Sequence, residues 1–174
     1  ILLLSQKYIL ANGLFLDQKH SNISQRVTRL IEDLHYSRPR INNSFSSEIL
    51  DKYLDTLDSN RLYFKLEDIN SFSKFRYEID NFSKEGDLQF ILDIFDRLKI
   101  RTNERIKFAI DSLKEEPDFT VDESFIFDRR DMTWPKSDEE INSIWRKRIK
   151  NDALGLMLTG KTWKEASEML MTRY

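Results

Sequence analysis

Apolar residues recur along most of the chain at steps of three and four, the period of one face of an α-helix. Ile23, Val27, Leu30, Ile31 and Leu34 form the first such stripe. Pro39 forbids its continuation, because the proline ring clashes with the preceding turn. A second helix is predicted from near Ser44, with Phe45, Ile49, Tyr53 and Leu57 one turn apart and Leu50 and Leu54 widening the face. Asp58-Ser59-Asn60 then reads as a turn, since all three side chains compete for backbone hydrogen bonds. A third helix carries Ile69, Phe72, Phe75, Ile79 and Phe82; Gly86 supplies its left-handed stop, and Asp87 can cap the next start. The fourth, with Leu88, Ile91, Leu92, Phe95, Leu98, Ile106, Ala109, Ile110 and Leu113, is predicted to run from Leu88 to Glu116, about 40 Å, before Pro117. Every one of these stripes is expected to be core.

From Pro117 to Pro135 the periodicity is lost. Phe119, Val121, Phe125, Phe127 and Trp134 sit among acids and Arg129-Arg130, which predicts an ordered connection with its aromatics lying over the helices. Ser137-Asp138-Glu139-Glu140 is a capping box that opens a helix with Ile141, Ile144, Trp145 and Ile149 on one face. Thr162-Trp163-Lys164-Glu165 is a second, following Gly160 as a stop; its helix holds Ala166, Met169 and Leu170 and is still running at Tyr174. The pattern predicts an all-α fold: an irregular, somewhat elongated multi-helix domain of about six helices with one long central helix. Residues 1–20 are expected to be a partly helical N-terminal segment and residues 21–174 the domain itself.

Composition narrows the class. The 174 residues include 12 Phe, 6 Tyr and 3 Trp, enough to build a core, while 4 Gly and 3 Pro are too few to turn many short strands. Charged residues make up 33% of the chain, yet the net charge is only −2, so attraction to nucleic acid or anionic lipid is not expected. Without Cys there is no disulfide, thiol catalysis or Cys-based zinc site, and two His, His20 and His35, do not suggest a His-rich metal centre. The apolar start Ile1-Leu2-Leu3-Leu4 is broken by Gln6 and Lys7, far short of a spanning helix. The start at Ile and the stop within a helix both read as boundaries inside a longer protein.

One motif looks chemical. Gly155-Leu156-Met157-Leu158-Thr159-Gly160-Lys161-Thr162 satisfies the phosphate-loop pattern G-x-x-x-x-G-K-[ST]. A phosphate cradle must leave a buried strand, however, and the residues upstream, Trp145 to Lys150, are basic and helical in period. The segment is read as a helix stopped at Gly160 and a new one capped by Thr162, with no nucleotide bound. The run Arg146, Lys147, Arg148 and Lys150 is read as a solvated face neutralised by Asp138, Glu139, Glu140 and Asp152, and Asp128-Arg129-Arg130-Asp131 as surface ion pairs. His35 is assigned to the end of the first helix. The pairs Asp51/Asp55 and Asp93/Asp96 lack a His or a second matched pair, and no G-x-S-x-G occurs. No catalytic, cofactor-binding or metal-binding residue is assigned and no cofactor is expected.

Several ordered strings carry a resemblance. They are His35-Tyr36, Phe45-Ser46, Tyr53-Leu54 to Leu57-Asp58, Gly86-Asp87-Leu88, Pro117-Asp118-Phe119-Thr120, Trp134-Pro135-Lys136, Leu158-Thr159-Gly160-Lys161-Thr162 and Thr172-Arg173-Tyr174. Together, from about Ser21 to Tyr174, the chain resembles the helical N-terminal domain of bacterial tail-specific, carboxy-terminal processing serine proteases. The resemblance implies a periplasmic or envelope-associated endopeptidase with a PDZ-like domain and a Ser/Lys pair beyond Tyr174. It also implies that the Thr-Gly-Lys-Thr segment is a joint between helices. The expected partners are the PDZ and catalytic domains of the same chain, protein substrates and an adaptor protein. The exposed aromatics of the Phe119–Trp134 connection are the expected face toward the protease body. The composition equally suits a free-standing helical interaction adaptor.

Overall fold

The computed structural model describes residues 16–36 and 39–174. Among the described residues there are seven α-helices: α1 (Gln18–Leu34), α2 (Asn43–Leu57), α3 (Leu66–Phe72), α4 (Ile79–Glu85), α5 (Gln89–Ser112), α6 (Asp138–Leu158) and α7 (Trp163–Arg173). A single 3₁₀ turn, Ser73–Phe75, follows α3, and no strand occurs among the described residues. The apolar segment Ile1–Leu4 lies outside the described residues. The all-α expectation holds, with one helix more than anticipated.

The extra helix comes from the predicted third one, which is broken in two. Ser71 Oγ donates to the Asp68 carbonyl and Ser73 Oγ to the Asn70 carbonyl, both at 2.6 Å. Hydroxyls that bond back three residues compete with the helical ladder and tighten it into 3₁₀ geometry. The periodicity survives the break, so the apolar positions alone could not show it. The long α5 stops at Ser112, four residues before the expected end at Glu116; Ser112 Oγ bonds back to Phe108 and the chain turns through Lys114 N–H to the Asp111 carbonyl.

The chain divides into two compact units, one comprising residues up to Leu50 with Lys74–Phe95, the other Asp51–Ser73 with Asp96–Tyr174. In the first, Phe75, Phe82 and Phe90 form an aromatic cluster with centroids 5.8 to 6.4 Å apart, and Ile41, Leu50, Ile79 and Ile94 are buried. Ser46 Oγ donates to Asp80 Oδ1 and accepts from the Asp80 amide, each at 2.8 Å, satisfying a buried polar pair. Gly86 closes α4 at φ +77°, a conformation that suits glycine.

In the second unit Trp145 is the centre. It is packed with Leu62, Ala109, Leu113, Ile141, Ile149, Ala153 and Leu170, and its Nε1–H donates to the Leu62 carbonyl at 2.6 Å. The Asp58 turn is confirmed and deeper than a surface turn: the buried carboxylate accepts the amides of Leu62, Tyr63 and Phe64 at 2.8 to 2.9 Å. Asp68, in the first turn of α3, takes a two-pronged ion pair from the buried Arg101 at 2.8 and 2.9 Å, with Glu67 and Glu104 completing the guanidinium's partners. A buried charge is tolerable when its hydrogen bonds are met in this way.

Candidate functional site

The Gly155–Thr162 motif is settled by its backbone. Gly155 lies inside α6, three residues before its end, so the amides around it point along the helix and are not turned into a loop that could cradle a phosphate. Thr159 and Gly160 donate to the carbonyls of Leu156 and Met157, Gly160 adopts φ +92°, and Thr162 starts α7. The Thr162 side chain accepts the Glu165 amide while Glu165 Oε2 accepts the Thr162 amide at 2.9 Å, a complete capping box. The box predicted at α6 is only half formed. Ser137 Oγ accepts the Glu140 amide, but the Glu140 carboxylate takes the amide of Lys136, not that of Ser137.

The residues weighed for catalysis stay apart. His20 belongs to the start of α1, where its amide donates to Asp17 Oδ1 and its Nδ1 accepts the Asp17 amide, and His35 is the C-cap of the same helix. Asp93 accepts from Gln89 and Asp96 pairs with Lys99 along α5. Among the described residues no group of three or more His, Asp or Glu side chains could hold a metal ion.

The connection from Pro117 to Pro135 is ordered, as expected, but its aromatics divide. Phe119 packs edge-on to Trp163, and Trp134 lies between Phe64 and the Arg61 guanidinium, 4.8 Å from the ring. Phe125 and Phe127 pair with each other at 5.1 Å, and Phe127 remains 68% exposed beside the exposed Val121 and Ile126. Electrostatics fasten this strap to α6. Glu123 accepts two hydrogen bonds from Arg146 at 2.6 and 2.7 Å and a third from Lys150 at 3.0 Å, and Lys150 Nζ also reaches the Val121 carbonyl. The Arg146 fork, then Lys150, holds the Glu123 carboxyl at about 2. The basic face of α6 is therefore not a solvated one neutralised by Asp138, Glu139, Glu140 and Asp152. Its main counter-ion is Glu123, Lys150 is buried, Asp138 is paired with Lys65, and Asp152 accepts from Tyr174. Asp128 and Arg130 form the expected surface pair, whereas Arg129 is buried.

α1 overturns a second expectation. Most of its apolar stripe is not core: Ile23, Val27, Leu30 and Leu34 are 49, 47, 54 and 74% exposed, Ile31 alone of the stripe is half-buried, and the buried residue of the helix is Thr28. The helix is fixed to α4 by its polar face. Ser24 Oγ donates to the Ser83 carbonyl at 3.2 Å, Gln25 Nε2 to the Glu85 carbonyl at 2.8 Å, and Ser21 backs onto Gly86. These are last-turn carbonyls of α4, which have no partner within their own helix. The polar side faces the protein because it caps a neighbouring helix, and most of the apolar stripe is left outward.

Fold and surfaces together define a class: an all-helical module marked by exposed apolar faces. The tail specific protease N-terminal domain family matches residues 27–174, and the chain belongs to that family. It is 32% identical over 152 residues to a tail-specific protease of Haemophilus influenzae, an alignment that covers 87% of this chain and 22% of that protein. The chain thus spans less than a quarter of that relative's length. No helix among the described residues is long and apolar enough to cross a membrane.

Proposed function

We propose that this chain is the non-catalytic helical domain of a periplasmic carboxy-terminal processing serine endopeptidase, packing on the protease body and helping to enclose or recruit protein substrates. The observation that carries the proposal is the outward stripe Ile23, Val27, Leu30 and Leu34. Four apolar side chains in line on a 17-residue helix are a surface that a partner covers, since removing apolar area from water is worth roughly 25 cal/mol per Å². The occupant is the remainder of the same polypeptide. The relative is more than four times as long as the aligned region, and a remainder of that size would be ample to cover the stripe. PDZ and Ser/Lys elements belong to that remainder in this reading.

Hydrogen exchange tests it. In the whole protease the amides of residues 23–34 exchange more slowly than in the 174-residue chain alone; equal rates would overturn the docking. Val27→Asp with Leu30→Asp, placed in the whole protease, lowers cleavage of folded protein substrates more than cleavage of a short peptide. The separate chain cleaves neither, and proteolysis by the pure chain would defeat the non-catalytic assignment.

A further inference from the structure

The second unit contains a groove of about 250 Å³ between the strap and α6, lined by Ser124, Phe125, Ile126, Arg129, Glu140, Ser143, Ile144 and Lys147. Of these, Arg129 is only 7% exposed. The Arg129 amide donates to Asn60 Oδ1, but its buried Nε–H meets no acceptor, and its guanidinium forms no ion pair among the described residues. Burial pulls this guanidinium below its ordinary pKa, and the carboxylates that oppose the effect, Glu140 and Asp58, act from a distance. Both are already engaged: Glu140 holds the Lys136 amide and Asp58 holds three amides. Arg61 Nε is also buried without an acceptor, but the Arg61 guanidinium is paired with Asp55 and bonds to the Arg130 carbonyl, whereas that of Arg129 has no such partner, and a buried charge left so costs several kcal/mol.

We propose that this groove binds the side-chain carboxylate of an acidic residue in a partner protein segment, with apolar residues flanking it. The planar fork of Arg129 fits a carboxylate with two parallel hydrogen bonds. Lys147 and the Ser124 and Ser143 hydroxyls stand around the same space. Formal charge favours a monoanion: Arg129 and Lys147 against Glu140 leave one positive charge, which one carboxylate balances. A phosphate dianion would meet the Glu140 carboxylate and would leave the walls of Phe125, Ile126 and Ile144 facing a fully hydrated group. Those walls, continued outward by the exposed Phe127, suit the neighbours of an acidic residue in an extended apolar segment. The inference concerns the second unit alone and stands whether or not α1 docks on a protease body.

Titrating the chain with the capped pentapeptide acetyl-Ala-Leu-Glu-Leu-Ala-amide, followed by NMR, tests the assignment. The Arg129 Nε–H resonance and the amides of residues 124–130 shift with the Glu peptide, and replacing its Glu by Gln weakens binding at least tenfold. Arg129→Gln and Lys147→Ala each reduce affinity several-fold; Lys147 lies on the surface of α6, so that variant reports even if the first fails to fold. Acetate competes for the same resonances more effectively than inorganic phosphate. Equal binding of the Glu and Gln peptides, stronger competition by phosphate, or a silent Arg129 Nε–H at millimolar peptide would each overturn the proposal.

Discussion

Asp58 and Glu123 show what single side chains contribute here, and in opposite senses. Burial pushes the Asp58 carboxyl up, while three backbone amides pull it down. Asp58→Ala leaves three backbone donors unmet, those of buried Leu62 and Phe64 and part-buried Tyr63, so chemical denaturation should show a loss of roughly 2–5 kcal/mol. Asp58→Leu, which adds volume but no acceptor, should be no better. Glu123 has a carboxyl depressed from the ordinary 4.5 to about 2. The unfolded chain therefore takes up the proton first, so the stability Glu123 contributes is fully present above about pH 4.5 and is lost as the pH falls toward about 2. Glu123→Gln should flatten that part of an acid titration of stability. The sequence marks Asp58 as a turn residue, because local side-chain to backbone bonding is written in neighbouring positions. Glu123 and Arg129 are not legible in that way: one acquires its partners, and the other its burial, from residues far along the chain.

Among the elements, helix ends were the most legible and helix faces the least. Gly160, Thr162 and Glu165 announce a stop and a start through chemistry confined to a few residues, and the α6–α7 joint follows them. Thr162→Ala should cost about 1 kcal/mol by thermal unfolding. Gly160→Ala should cost about 1 kcal/mol from its left-handed backbone alone, since a Cβ there meets nothing within 4 Å. Gly86→Ala should cost more, because its Cβ would lie 2.9 Å from the Ser21 carbonyl oxygen. For α1 the period correctly predicts an amphipathic helix, but period says nothing about which side is covered. Val27→Ser with Leu30→Ser should accordingly change the stability of the chain by less than about 0.5 kcal/mol each, where core positions of that size lose several. Leu170→Ala, fully buried beside Trp145, provides the contrast at about 2–5 kcal/mol.

At the scale of the whole molecule, the helical class was readable from composition and period, and the family from short ordered strings. The division into two compact units was not, because it depends on which residues meet across long stretches of chain. The candidate surfaces were half readable. The Phe119–Trp134 connection is aromatic and ordered, as its composition predicts, but Phe119 and Trp134 turn inward, while the exposed contribution comes from Phe127, Ile126 and Val121. The isolated chain should therefore bind a hydrophobic dye while keeping its folded helical signal by circular dichroism, and the Val27→Ser/Leu30→Ser variant should bind less of it without losing ellipticity.

The attachment of α1 by polar bonds has a consequence for how the chain comes apart. Denaturant sensitivity scales with the surface that an opening uncovers. Lifting α1 from α4 trades bonds such as Ser24 to Ser83 and Gln25 to Glu85 for water, while Ile23, Val27, Leu30 and Leu34 are exposed already. Its opening should thus proceed at nearly the same rate with or without mild urea, a reversible fraying set apart from the steeply urea-dependent melting of the Trp145 core.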